Sequence, residues 1–105
     1  MEVNASEETL NAGEFVLGLF EDGAYPSEVV SLNGGTVKLN CLHPVVIGGK
    51  EKFRFWKWPS SLDIQMISKE SVLPIRPMLD VSKQHSNRRK VILELNNFDM
   101  VKNFL

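Results

Sequence analysis

The chain has 105 residues, enough for one hydrophobic core and too few for two that would each stand alone. Hydrophobic residues make up 43% and charged residues 24%, close to the globular average, which excludes wholesale disorder and fibrous architectures. The net charge of -1 conceals a division, because residues 1–37 hold Glu2, Glu7, Glu8, Glu14, Glu21, Asp22 and Glu28 with no Lys or Arg, and all 12 basic residues follow. An acidic first third attracts basic peptides and repels phosphates; the basic remainder does the reverse.

In chain order, residues 1–12 mix Glu, Asn, Ser and Thr with only Val3 and Leu10 as large apolar side chains, the pattern of a flexible arm or a short helix. From Gly13 the run Phe15, Val16, Leu17, Leu19 and Phe20 predicts a strand. It is broken by Asp22-Gly23, a hairpin-turn dipeptide. A second strand, about Tyr25 to Leu32, is closed by Asn33-Gly34-Gly35, a stronger turn signal. Thr36 to Leu42 then alternates, with Val37, Leu39 and Cys41 on one face and Thr36, Lys38 and Asn40 on the other, as a half-buried strand requires. Three strands joined by tight turns make a β-meander.

The meander pauses at Gly48-Gly49-Lys50-Glu51-Lys52, whose glycines and charges predict a loop. The cluster Phe53, Phe55, Trp56 and Trp58 follows; if extended, it sets Phe53 and Phe55 on one face and Trp56 and Trp58 on the other. Leu62 to Ile67 and Val72 to Ile75 offer two further strands, or a strand and a helical turn, with Pro74 and Pro77 confining the second to an edge. Five short strands without a long helix predict a mostly β fold, a small and strongly bent barrel over residues 13–77. Residues 78–105 form an extension with a basic loop at Lys83 to Lys90, a strand at Val91 to Leu95 and a short terminal helix. Asn97 caps that helix, which carries Phe98, Val101, Phe104 and Leu105 on one face.

The segment from Glu14 to Val29, with its apolar strand, Glu21-Asp22-Gly23 turn, Tyr25 and Val-rich return strand, resembles the first hairpin of Tudor-type domains. Cys41-Leu42-His43-Pro44, Phe55-Trp56-Lys57-Trp58-Pro59 and Asp63-Ile64 are similar to a Tudor-like module of transposon-associated and uncharacterised animal proteins. The likeness runs from about Gly13 to Pro77. It implies a five-stranded barrel that binds methylated Lys or Arg in an aromatic cage, since ring quadrupoles hold such cations at low desolvation cost. Carried over by position, it assigns Phe20 and Tyr25 from the first hairpin and His43 from the end of the third strand. Ala24 and Met66 depart from it, standing where the related patterns have Trp.

Other chemistries find less in the residues. Cys41 and His43 lie two apart, yet no orienting group or oxyanion-hole motif accompanies them, and no enzyme is expected. One Cys and two His make no zinc-ligand spacing, and the Gly pairs lack a phosphate-loop context, so neither metal nor cofactor is expected. Pro44 to Ile47 is too short to span a bilayer. With Cys41 the only cysteine, no internal disulfide forms, and an intracellular setting, nuclear before cytoplasmic, is expected. The leading expectation is a non-catalytic interaction module taking a short basic peptide, methyl-Lys or methyl-Arg among the candidates. The ligand would sit at the open end of the barrel around Phe20, Asp22, Tyr25, His43 and Trp56. The alternatives are nucleic-acid binding through Lys50, Lys52, Arg54, Lys57, Arg88, Arg89 and Lys90, and homodimerisation or scaffolding through the Trp residues.

Overall fold

A computed structural model describes residues 10–81 and 91–105. The basic cluster at Lys83 to Lys90 and most of the N-terminal arm lie outside them. The described residues are mostly β, arranged as two antiparallel four-stranded sheets with one short helix near the C-terminus. None of their helices is long and apolar enough to cross a membrane.

The first sheet grows from the meander. β1 (Phe15–Phe20) pairs with β2 (Gly23–Asn33), so that Phe20 faces Gly23 across a two-residue turn. β3 (Thr36–Cys41) returns along β2 from Asn33 facing Thr36. Glycine at positive φ serves both connections, Gly23 at φ 137 directly after the first turn and Gly34 at φ 63 within the second, conformations that L side chains rarely adopt. A register shift between Val29 and Ser31 inserts an extra residue into the long β2 and bends it.

The alternation in β3 holds: Val37, Leu39 and Cys41 are buried and Lys38 is exposed. With Leu10, Val16 and Val29 they form one apolar cluster, on which Phe20, Ile67 and Val72 pack. Leu10 is thereby part of the core and not of a free arm.

β4 (His43–Val45) and β5 (Phe55–Lys57) open the second sheet. β6 (Ile64–Ser68) goes back to the first, where it lies beside β3 with Asn40 facing Ile64 and Lys38 facing Met66. Ser68 then accepts from Glu70 N–H to start a 3-10 turn over Lys69–Ser71. In place of a regular strand at Val72 to Ile75 there is a single bridge. Val72 meets Gly18, and Leu73 N–H bonds Leu17 O at 2.8 Å. The segment that follows β6 therefore touches β1 at one point, while the sheet itself stays open in the order β1-β2-β3-β6 and the five-stranded barrel expected from the sequence is not formed as such. Gly18 itself is closely packed on its inner side, because a Cβ there would lie 2.8 Å from Leu39 Cδ1.

The second sheet has the order β4-β5-β8-β7, with β7 (Leu79–Val81) and β8 (Ile92–Leu95) supplied by residues 78–105. The strand expected at Val91 to Leu95 forms; β4 and β7 were not foreseen. Trp56, 1% exposed, centres the second apolar cluster with Leu17, Leu42, Leu93, Leu95, Phe98 and Val101. Its indole Nε1–H donates to Phe53 O at 2.7 Å, so the polar end of the ring is satisfied without water.

Three local expectations are corrected. Phe53 does not share a strand with Phe55: its φ is 65, and its ring stacks on Trp56 at 6.2 Å while remaining exposed. Asn97 precedes helix α1 (Phe98–Val101) but makes no side-chain cap. Its amide instead accepts from Met78 N–H and donates to Arg76 O, tying the helix start to the segment before β7. Phe98 and Val101 are buried, whereas Phe104, in the following 3-10 turn (Lys102–Phe104), is exposed.

Candidate functional site

The first hairpin, the β3–β4 junction and the start of β6 converge on an open cleft of about 580 Å³, lined by Phe20, Glu21, Asp22, Tyr25, Cys41, His43, Pro44, Asp63 and Gln65. Its aromatic wall comes from β1 and β2. Register places Gly18 opposite Tyr25 and Phe20 opposite Gly23, so the two rings lie on one face one step apart and meet edge-on, 5.5 Å and 82° between planes. Tyr25 also packs edge-on against Trp56 at 6.1 Å, which backs the ring with the second core.

Its floor is polar. The Tyr25 hydroxyl donates to Asp22 Oδ2 at 2.7 Å, and this bond, with desolvation, raises the phenol above its ordinary value of 10.0. His43 Nε2 donates to Asp63 Oδ2 and Gln65 Nε2 to Asp63 Oδ1, each at 2.7 Å. The Gln65 bond first and the His43 bond second hold the Asp63 carboxyl below the usual carboxylate range, so it is ionised at neutral pH. Glu21, Asp22 and Asp63 thus set three carboxylates around two rings, against His43 as the single titratable base of the lining.

Cys41 reaches the cleft from below at 2% exposure, and burial raises its thiol, with the Ser27 hydroxyl partly opposing. A thiol held protonated is a poor nucleophile.

Four of the five expected ligand-binding residues, Phe20, Asp22, Tyr25 and His43, are brought together here. Trp56 is not among the lining residues; it lies beneath Tyr25 as core. Ala24, 3% exposed, alternates to the face opposite Tyr25, so a larger ring at this position would point away from the cleft. Met66 sits on the outer face of β6, 59% exposed. Asp63 and Gln65 were missed as site residues because nothing local marks them. Asp63 is 20 positions from His43, and the β3–β6 register alone makes them neighbours.

Of the residues considered for nucleic acid, Lys50, Lys52, Arg54 and Lys57 are described. The Arg54 guanidinium donates to Glu94 at 2.9 Å and to Glu51 at 3.3 Å and lies over the Phe98 ring at 5.4 Å. Lys50 and Lys52 are exposed in the loop before β5, Lys57 faces His43 across β4–β5, and Arg88, Arg89 and Lys90 fall outside the described residues. No known protein family, curated protein or solved structure matches the chain.

Proposed function

We propose that the protein is a non-catalytic binding module of the Tudor-like type that receives a cationic side chain of a short basic peptide in the cleft between Phe20, Tyr25 and Asp63. The observation that carries this reading is the edge-on Phe20–Tyr25 pair standing among Glu21, Asp22 and Asp63. Rings present negative faces to a cation, and the carboxylates add charge attraction where the wall is already partly desolvated.

Fold order supports it: β1, β2, β3 and β6, then the 3-10 turn and the Val72 bridge to β1, give five extended segments around one apolar cluster. Two rings make an incomplete cage, so charge recognition outweighs methyl recognition here. Methylated and unmodified Lys bind within about threefold of each other, a difference under ~1 kcal/mol. The intracellular, nuclear setting expected from the sequence belongs to the same reading.

The test is an amide chemical-shift titration with basic peptides, unmodified and methylated, and with short nucleic acids. The proposal expects Phe20, Tyr25, His43 and Asp63 to shift with peptide, and Tyr25→Ala to weaken binding about tenfold. Shifts confined to residues 83–90 on adding nucleic acid, with none in the first hairpin on adding peptide, would overturn it.

A further inference from the structure

The cleft is flanked by a strand whose outer side carries no partner among the described residues. The other edges are blunted. β1 is covered by Val72 and Leu73, β4 contains Pro44 without an N–H, and β7 is three residues long with Asp80 at its centre. β6, reading Ile64-Gln65-Met66-Ile67-Ser68, has neither charge nor proline.

Its orientation follows from one bond. Cys41 N–H bonds Asp63 O at 2.9 Å, so Asp63 directs its backbone toward β3. In an antiparallel ladder that direction alternates, hence Gln65 and Ile67 also face β3, and Ile64 and Met66 turn their N–H and C=O groups outward. Side chains alternate in step: Asp63 and Gln65 line the cleft and Ile67 packs inside, while Ile64 and Met66 lie exposed on the outer face at 37% and 59%.

We propose that the peptide binds by adding a strand to the free edge of β6, an inference that rests on the cleft being the binding site. A peptide residue beside Gln65 then points its side chain toward the cleft, where Asp63, Asp22 and Glu21 call for Lys or Arg. The residues on either side of it lie against Ile64 and Met66 and are apolar. The ligand class is an extended segment with a cation between two apolar residues, held by main-chain bonds to Ile64 and Met66. A second copy of the chain fits less well. Two-fold pairing about Met66 would set Lys69 opposite Asp63, but Lys69 enters the 3-10 turn with its N–H bonded to Gly35 O and leaves the strand direction there.

Two blocked heptapeptides with a central lysine, one with valine and one with serine on both sides, test this by chemical shift and by amide hydrogen exchange. The valine peptide is expected to bind about tenfold tighter and to slow exchange at Ile64 and Met66. Met66→Pro removes an N–H with no partner among the described residues, so the fold tolerates it while affinity falls about fivefold. If that variant does not fold, slowed exchange at Ile64 and Met66 in the parent still supports the proposal.

Equal affinity of both peptides, with Phe20 and Tyr25 shifting but exchange at Ile64 and Met66 unchanged, overturns the edge and leaves the cleft standing. No shift at Phe20 or Tyr25 with either peptide removes both. Self-association that Met66→Pro abolishes would assign the edge to a second copy and also overturn the proposal.

Discussion

The two sheets are built by opposite strategies. The first starts from three strands adjacent in sequence and joined by two-residue turns, adds β6 beside β3, and leaves polar groups and rings open at one end. The second collects strands of three or four residues from positions 43, 55, 79 and 92, and closes them over Trp56. Short strands of distant origin have little local support, so burial of large side chains must hold them. Hairpin strands hold their own register and can spend surface on a ligand. The division separates the sheet held by a large buried ring from the sheet that lines the candidate site, with Leu17 of β1 shared by facing the second core.

The comparison breaks most visibly at Trp56. Trp56→Ala removes a 1%-exposed ring and is expected to cost about 3–5 kcal/mol, a large share of the ~5–15 kcal/mol available to a domain of this size. Urea unfolding followed by amide dispersion measures it. Because Leu17 and Leu42 belong to the same cluster, both sheets should melt in one transition; a surviving first sheet would show two independent units.

Next is Gly18→Val, whose added carbons meet the Leu39, Phe20 and Ile67 side chains in the strand that also holds the Val72 bridge. Overpacking of this kind costs about 1–3 kcal/mol, read by thermal unfolding. Faster exchange of the Leu73 amide, with β8 amides unaffected, would locate the strain in the first sheet.

The smallest effect is at Tyr25, the one tyrosine of the chain, so a spectrophotometric phenol titration reports it alone. Asp22→Asn should lower its pKa toward 10.0, because the Asp22 bond is the main cause of the upward shift. The fold favours the neutral phenol, so the contribution is full below the unfolded pKa and fades as pH rises through the higher folded value. Because Tyr25 is only partly buried, solvent screening keeps this contribution small.

The same division governs what could be read from the sequence. Asp22-Gly23, Asn33-Gly34-Gly35 and the alternation of Val37, Leu39 and Cys41 announced the first sheet, since turn chemistry and period two are local signals. They also placed Phe20, Asp22 and Tyr25 near one another. His43, Asp63 and Gln65 meet only through the pairing of β3 with β6, a long-range register that no short window contains. The second sheet was harder for the same reason. The three-residue β4 and β7 are too short to show a period, and Phe53 leaves the strand at φ 65, a conformation rare for a side-chain-bearing residue and not signalled by its type. Asn97 carried a helix-cap signature but spent its amide on Arg76 and Met78, both about 20 residues away.

Cys41 turns this architecture into something measurable. Its sulfur is the only thiol in the chain and lies at the seam where β3 receives β6, directly under the cleft. A thiol reagent reaches it when that seam parts, so the labelling rate tracks local opening of β6 without unfolding of the rest. A ligand spanning cleft and edge would hold the seam shut and slow labelling in proportion to its occupancy. If the proposed binding mode holds, Cys41 labelling becomes an intrinsic chemical clock for engagement of the candidate site.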